Sequence, residues 1–237
     1  MMVYAVIVAA GKGVRMNCTT RKQYLELEGV PLLSITLKAF DRCSFIDEII
    51  LVVPSGDIGF CMEKIINSAG IQKKVTPVAG GLKRQDSVYI GLLAVDEKKS
   101  TVVIHDGVRP FVNPSSIEEC IREAVLHGAC ILGLPASDPL KLADGSGYIE
   151  KTLERDSVWL AQTPQAFDYS IIKKAHDSAR KEGFRGTDDA SLVERLGEKV
   201  RIIRGSINNI KITTPEDLVI ARSILDGLVK SQNMLTQ

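Results

Sequence analysis

Apolar residues recur along this chain in two rhythms. Four stretches are apolar at successive positions and rich in β-branched side chains: VYAVIVAA from Val3, EIILVVP from Glu48, STVVIHD from Ser100 and ACILGLP from Ala129. That continuous pattern predicts strands buried on both faces. Between them LLSITLKAFDRC, FCMEKIINSAG, RQDSVYIGLLAVDE and PSSIEECIREAVLHG carry apolar residues at three- and four-residue steps, which predicts helices with one buried face. Asn113-Pro114-Ser115-Ser116, followed by Glu118 and Glu119, reads as a helix start, and Gly70 and Gly128 as helix stops. Strand and helix alternate, so the expected fold is α/β: a single domain over 1–237 with a Rossmann-like, mostly parallel sheet flanked by helices. In such sheets ligands collect at the C-terminal ends of the strands.

The rhythm breaks at SDPLKLADGSGYIEKTLE, from Ser137 to Glu154. ADGSG is a turn signal between two short extended stretches, so the excursion 137–158 is expected to be a protruding β-hairpin arm. An arm of this size has little core of its own, and a homodimer formed through it is the expectation, with a flap over the site as the alternative. The main fold resumes at WLAQTPQAF and ends in a helix opened by Thr213-Thr214-Pro215-Glu216-Asp217.

Composition narrows the class. The 237 residues are 45% hydrophobic and 25% charged, enough to build a sizeable core, and the net charge is +1. No global basic field would hold nucleic acid, so anion binding must be local. Cys18, Cys43, Cys61, Cys120 and Cys130 are odd in number and widely spaced, which argues against a disulfide framework or zinc site and for a reduced, cytoplasmic setting. The apolar run at Val3 is eight residues long and reads as a buried strand rather than a signal peptide or a membrane span.

Candidate chemistry begins at VAAGKGVRM, residues 8–16, where the first strand meets a glycine-rich basic loop. It fails the P-loop template, lacking Lys-Ser/Thr, and the dinucleotide fingerprint, where Met16 replaces the third glycine. What remains is a loop whose backbone can approach a ligand at Gly11 and Gly13, with Lys12, Arg15, Arg21 and Lys22 close by. AAGKGVRM followed by KQY resembles the nucleotidyltransferase signature. GGLKRQDSV, HDGVRPF, AQTPQAF, TDDASLVE and NIKITTPEDL then follow in order. Together they make the chain similar to the cytidylyltransferases of the methylerythritol-phosphate route to isoprenoids.

The resemblance implies attack of a polyol phosphate oxygen on the α-phosphorus of CTP, with pyrophosphate leaving. A phosphate monoester is already anionic near neutral pH, its second pKa lying near ~6, so no general base is needed. His105, His127 and His176 form no dyad or metal spacing, in keeping with that. By resemblance Arg15 and Lys22 contact the triphosphate and stabilise the transition state, and the backbone of Ala9, Ala10, Gly11 and Gly13 lines the nucleotide. Gly81 and Ser87 recognise the cytosine and ribose region. Asp106 holds Mg²⁺ (or another divalent cation) and substrate, Arg109 binds the acceptor, and Thr163 with Pro164 and Gln165 shapes the pocket. Arg155, reaching across the dimer interface, and Lys211 anchor the acceptor phosphate. Read without the resemblance, Asp106 is a loop carboxylate capping a turn, Asp86 a helix cap, Thr187 a cap for Asp189 and Ala190, and Lys211 an edge charge in a short strand.

Three positions depart from the family pattern: Arg21 where Pro is usual, Leu82 where Asp is frequent, and Pro139 where Thr is typical. The last bears on the acceptor diol, and a ribitol-5-phosphate cytidylyltransferase is the nearest alternative. A glycosyltransferase would want Asp-x-Asp, which the chain lacks. A non-catalytic nucleotide-binding protein would not need Arg15, Lys22, Asp106, Arg155 and Lys211 together.

Overall fold

The computed structural model describes residues 1–11, 16 and 20–235, with the side chains of 229–235 left aside. Lys12, Gly13, Arg15 and Cys18 therefore lie outside the described residues. The strands are β1 (Val3–Val8), β2 (Glu26–Leu27), β3 (Val30–Pro31), β4 (Glu48–Val53), β5 (Lys74–Ala79), β6 (Thr101–Asp106), β7 (Ala129–Pro135), β8 (Lys141–Ala143), β9 (Ile149–Thr152), β10 (Trp159–Asp168) and β11 (Arg201–Arg204). The helices are α1 (Leu32–Arg42), α2 (Ile58–Phe60, continuing as the π-helical Cys61–Asn67), α3 (Arg84–Leu93), α4 (Pro114–His127), α5 (Tyr169–Lys181), α6 (Asp189–Arg195) and α7 (Pro215–Leu235).

Seven strands form one sheet in the order β11-β7-β10-β6-β1-β4-β5. All neighbours are parallel except β10, which runs antiparallel to both β6 and β7. Side chains of a strand alternate between faces, and the two cores follow that alternation. Ala5 and Ile7 join Leu37 and Phe40 of α1 and Ile117 and Ile121 of α4 on one face. Val6 and Val8 join Val88 and Leu92 of α3, Ile172 of α5 and Val193 of α6 on the other. A smaller cluster of Leu27, Leu32, Phe111, Ile212 and Ala221 seats the start of α7.

The four apolar runs are β1, β4, β6 and β7, as expected. The α4 start is also as expected: Asn113 Oδ1 accepts from the Ser115 N–H, Pro114 occupies the first turn, and Gly128 closes the helix at φ 84°. Other caps differ. The N-cap of α6 is Asp188, whose carboxylate accepts from the Ser191 N–H in a capping box, rather than Thr187. Asp86 does not cap α3; its carboxylate faces Arg180 at 3.6 Å and Arg185 at 3.4 Å. Lys211 lies in an irregular segment before α7, not in a strand, and the chain there is tied to the turn after β6 by the Ile212 N–H donating to the Val108 carbonyl. The arm is the predicted hairpin: β8 pairs antiparallel with β9, both exposed throughout. Asp144 forms its turn by accepting from the Ser146 and Tyr148 N–H groups.

Candidate active site

Register brings the functional strand ends level. Val8 of β1 pairs with Val52 of β4 on one side and with Asp106 of β6 on the other. Above this edge opens a cleft of about 350 Å³, lined by Ala9, Ala10, Gly11, Lys22, Gly80, Gly81, Ser87, Asp106 and Lys211 together with Arg21, Leu82 and Arg84. Most of the residues singled out in the sequence thus meet here, although they come from five separate segments.

The glycines at 80 and 81 are there for space. A methyl group at Gly80 would collide with Ala10 Cβ, and one at Gly81 would meet Asp86 Cβ at 2.5 Å. The close approach lets the Gly81 N–H donate to Ser87 Oγ at 3.1 Å, which fixes that corner of the cleft. Ala9 is fixed from both sides: its N–H donates to the Val52 carbonyl at 2.7 Å, and its carbonyl accepts from Gln23 Nε2 at 2.7 Å.

Asp106 is the only carboxylate lining the cleft among the described residues, and cations surround it. Arg84 Nε lies 2.8 Å from Oδ1, Lys211 Nζ 2.8 Å from Oδ2 and Arg109 Nε 3.8 Å from Oδ2. Burial pushes the Asp106 carboxyl up, but Arg84 and Lys211 outweigh it and hold the group well below the usual carboxylate range. Arg84 is itself held from behind. Its Nη1 lies 2.8 Å from Asp189 Oδ2, and Asp189 Oδ1 lies 3.2 Å from His176 Nε2 in the core.

Thr163 does not line the cleft. It is buried beneath Asp106, where its Oγ1 accepts from the Asp106 N–H at 3.2 Å and meets His105 Nδ1 at 3.0 Å. His105 Nε2 reaches the Arg109 carbonyl at 3.1 Å. Burial lowers the His105 pKa to about 4, so the ring is neutral at pH 7. A neutral ring with Nε2–H facing the carbonyl leaves Nδ1 as acceptor for the threonine hydroxyl. Asn209 completes this layer, donating to the Thr163 carbonyl at 2.8 Å while its own carbonyl accepts from Arg109 Nη1 at 2.6 Å. Thr163 and Arg109 are therefore placed one layer behind the cleft wall.

Arg155 is not brought to the cleft of its own chain. It sits on the exposed turn Arg155–Ser157 of the arm, with Nη1 donating to the Ser137 carbonyl at 3.3 Å. Arg84, Asp189, His176 and Gln23 were missed by sequence reasoning. Arg84 within GGLKRQDSV, Asp189 within TDDASLVE and Gln23 within KQY each lay in a quoted motif, the signal that could have found them; His176 lay in none.

Among the described residues, the cleft has glycine walls and one carboxylate set among lysine and arginine, at the C-terminal edge of a mostly parallel α/β sheet. The comparisons are specific. The model of the family "IspD: 2-C-methyl-D-erythritol 4-phosphate cytidylyltransferase" matches residues 3–227. Proteins of that name from Pelotomaculum thermopropionicum and Alkaliphilus oremlandii are 45% and 47% identical, covering 94% and 93% of this chain and the same shares of their own. Among solved structures, the 4-diphosphocytidyl-2C-methyl-D-erythritol synthase of Anaerococcus prevotii superposes with a TM-score of 0.85 at 35% identity, over 95% of this chain and 96% of that one. The 2-C-methyl-D-erythritol 4-phosphate cytidylyltransferase of Thermus thermophilus does so with 0.77 at 32% identity, over 94% and 98%. The chain belongs to the 2-C-methyl-D-erythritol 4-phosphate cytidylyltransferase family.

Proposed function

We propose that the protein transfers the cytidylyl group of CTP to 2-C-methyl-D-erythritol 4-phosphate, giving 4-diphosphocytidyl-2-C-methyl-D-erythritol and pyrophosphate. The observation that carries the reading is the family match over 3–227. The cleft supports it with a floor on which Asp106 gathers Arg84, Arg109 and Lys211. The acceptor is a phosphate monoester, ionised at neutral pH, and its oxygen attacks the α-phosphorus without a base. The chemical problem is then to bring two anions together and spread the charge of the crowded phosphorus, which fixed cations do best.

Lys22 and Arg15 face the triphosphate in this reading, with Lys22 on the cleft wall. The backbone of Ala9 to Gly13 follows the nucleotide. Gly81 and Ser87 meet the cytosine and ribose. Lys211 holds the acceptor phosphate, while Arg109 and Thr163, one layer behind the cleft wall, fix Asp106 rather than touch the acceptor. Arg84 Nη2 is buried with no hydrogen-bond partner, a donor suited to a ligand oxygen.

Asp106 is the one carboxylate of the cleft, among the described residues, on which Mg²⁺ could be held, and its two oxygens face Arg84 and Lys211. No group of three or more metal-binding side chains exists among the described residues, but Mg²⁺ is commonly held by one or two carboxylates with substrate phosphates and waters. Asp106 is the residue that would hold it, and the ion would supply charge neutralisation at the phosphates.

The protein is further proposed to act as a homodimer through the arm, Arg155 of each copy serving the partner's acceptor site. A cytoplasmic location agrees with the free, buried Cys43, Cys61, Cys120 and Cys130. Among the described residues, no helix is long and apolar enough to cross a membrane.

The test is to incubate the purified protein with Mg²⁺, each of the four nucleoside triphosphates, and methylerythritol or ribitol phosphate, and to measure pyrophosphate release. Release is expected with CTP and methylerythritol phosphate. No release with that pair overturns the reading.

A further inference from the structure

Arg21, Gln23 and Tyr24, around Lys22, are fastened to other segments of the chain. Arg21 Nε lies 2.9 Å from Asp57 Oδ2, and the Tyr24 hydroxyl donates to the same oxygen at 3.0 Å. The Tyr24 oxygen also meets Cys61 Sγ at 3.2 Å. Gln23, between them, donates to the Ala9 carbonyl. Asp57 ends the short turn Ser55–Asp57 that follows β4, so this carboxylate ties the Lys22 segment to the next strand end along the rim. Asp57 is not among the residues lining the cleft.

The backbone shows what the tie must supply. Arg21 sits at φ −62°, ψ 137°, at the entry of the turn Lys22–Tyr24. That φ is the value to which a proline ring is locked, but an arginine is free across the whole extended region. Contacts outside Arg21 must select it: the Tyr24 N–H donates to its carbonyl at 2.9 Å, and the ion pair to Asp57 holds its side chain. Tyr24 stays a donor to Asp57: burial, the Cys61 thiol and the Asp57 carboxylate all push its phenol up.

We propose that Asp57 is a positioning residue for cytidylyl transfer: its carboxylate clamps Arg21 and Tyr24 on either side and so fixes the backbone that delivers Lys22 to the cleft. The inference rests on the proposed function in that Lys22 is taken to meet the triphosphate. Asp57 touches no reacting atom and acts through the segment it holds. It closes a cross-link in space over 33 residues of chain, where no local propensity could hold the angle.

The experiment compares wild type, Asp57→Asn, Arg21→Pro and the double variant. Asparagine keeps an oxygen for the Tyr24 hydroxyl but loses the charge that holds Arg21. Proline imposes the same φ without a partner. Asp57→Asn is expected to lower kcat/KM for CTP about tenfold, since small displacements of a positioned group cost that much or more. It is also expected to speed amide exchange at Tyr24 and Leu25, whose N–H groups donate to the Arg21 and Lys22 carbonyls at 2.9 and 3.3 Å. In the Arg21→Pro background the same change at residue 57 is expected to move neither quantity by more than about twofold.

Wild-type exchange in Asp57→Asn overturns the clamp, as does an equal Asp57→Asn effect in both backgrounds. In an active protein, wild-type kcat/KM in Asp57→Asn overturns it too. If wild type shows no turnover, the functional reading falls, and amide exchange alone decides the clamp.

Discussion

His105 makes the protein's behaviour in mild acid a residue-scale question. Its pKa is lowered to about 4 by burial, while the ring of an unfolded chain takes up its proton near ~6.5. Between those values the unfolded state binds more protons than the native one, so stability falls as pH drops through the window and is fully present above it. The span corresponds to about 3 kcal/mol. Thermal melts of the metal-free protein are expected to show a midpoint that declines from pH 7 to pH 4.5, and His105→Gln to flatten that decline. Asp106 and Asp189 have the same sign lower down. Burial raises both carboxyls, but Arg84, with Lys211 at Asp106 and His176 at Asp189, lowers them further. Their contribution is present above ~3.9 and lost as pH falls towards the depressed values. For activity, Lys211→Met is expected to reduce kcat about a hundredfold, the usual cost of one lost transition-state donor, with unchanged far-ultraviolet dichroism. Asp106, Lys211 and Ser87 could be read from the sequence because each sits in a short motif. Arg84 and Asp189 could not be read as partners: 105 positions separate them, and only the folded sheet makes them neighbours.

At the scale of elements, α6 matters beyond its seven residues because it carries Asp189. Its capping box joins Asp188 to Ser191, and Gln165 of β10 donates to Asp188 Oδ2 at 2.7 Å while accepting from the Ala190 N–H at 3.1 Å. Asp188→Ala is expected to cost about 1–2 kcal/mol in urea unfolding, and to lower kcat as Asp189 loses its hold on Arg84. A stability loss without a kinetic one would separate the cap from the site. The sequence announced the elements buried on both faces and concealed those at the edges. β5, KVTPVA, and β11, RIIR, are edge strands with part-exposed or exposed side chains, so no continuous apolar run marks them. β10 hides for the opposite reason. Its buried Gln162, Thr163 and Gln165 are polar because they hold up the site, and polar residues in a strand mask the pattern that would reveal it.

For the whole molecule, the arm is the open element. Leu142, Tyr148, Ile149, Trp159 and Leu160 are exposed on it and at its root, an apolar surface suited to a second copy. Deleting the arm is expected to move the protein from dimer to monomer in gel filtration; an unchanged dimer would exclude the arm as the interface. A mixing experiment tests the shared site. Lys22→Ala and Arg155→Ala, each expected to be nearly inactive alone, are expected to regain up to about a quarter of wild-type activity when refolded together, because one of the two sites in a mixed dimer carries neither change. No regain would confine Arg155 to its own chain.

The reversed direction of β10 has a further consequence. Trp159 pairs with Pro135 and Leu160 with Leu134, and the Ala136 N–H donates to the Val158 carbonyl at 2.9 Å. In topological terms the whole excursion is the loop of one large hairpin, leaving the sheet and rejoining it a single inter-strand spacing away. Its length is therefore free of the register of every other strand. A two-residue Asn-Gly turn could close the gap, and the molecule could be rewritten with a longer, shorter or foreign insert at this one seam while the sheet beneath keeps its geometry.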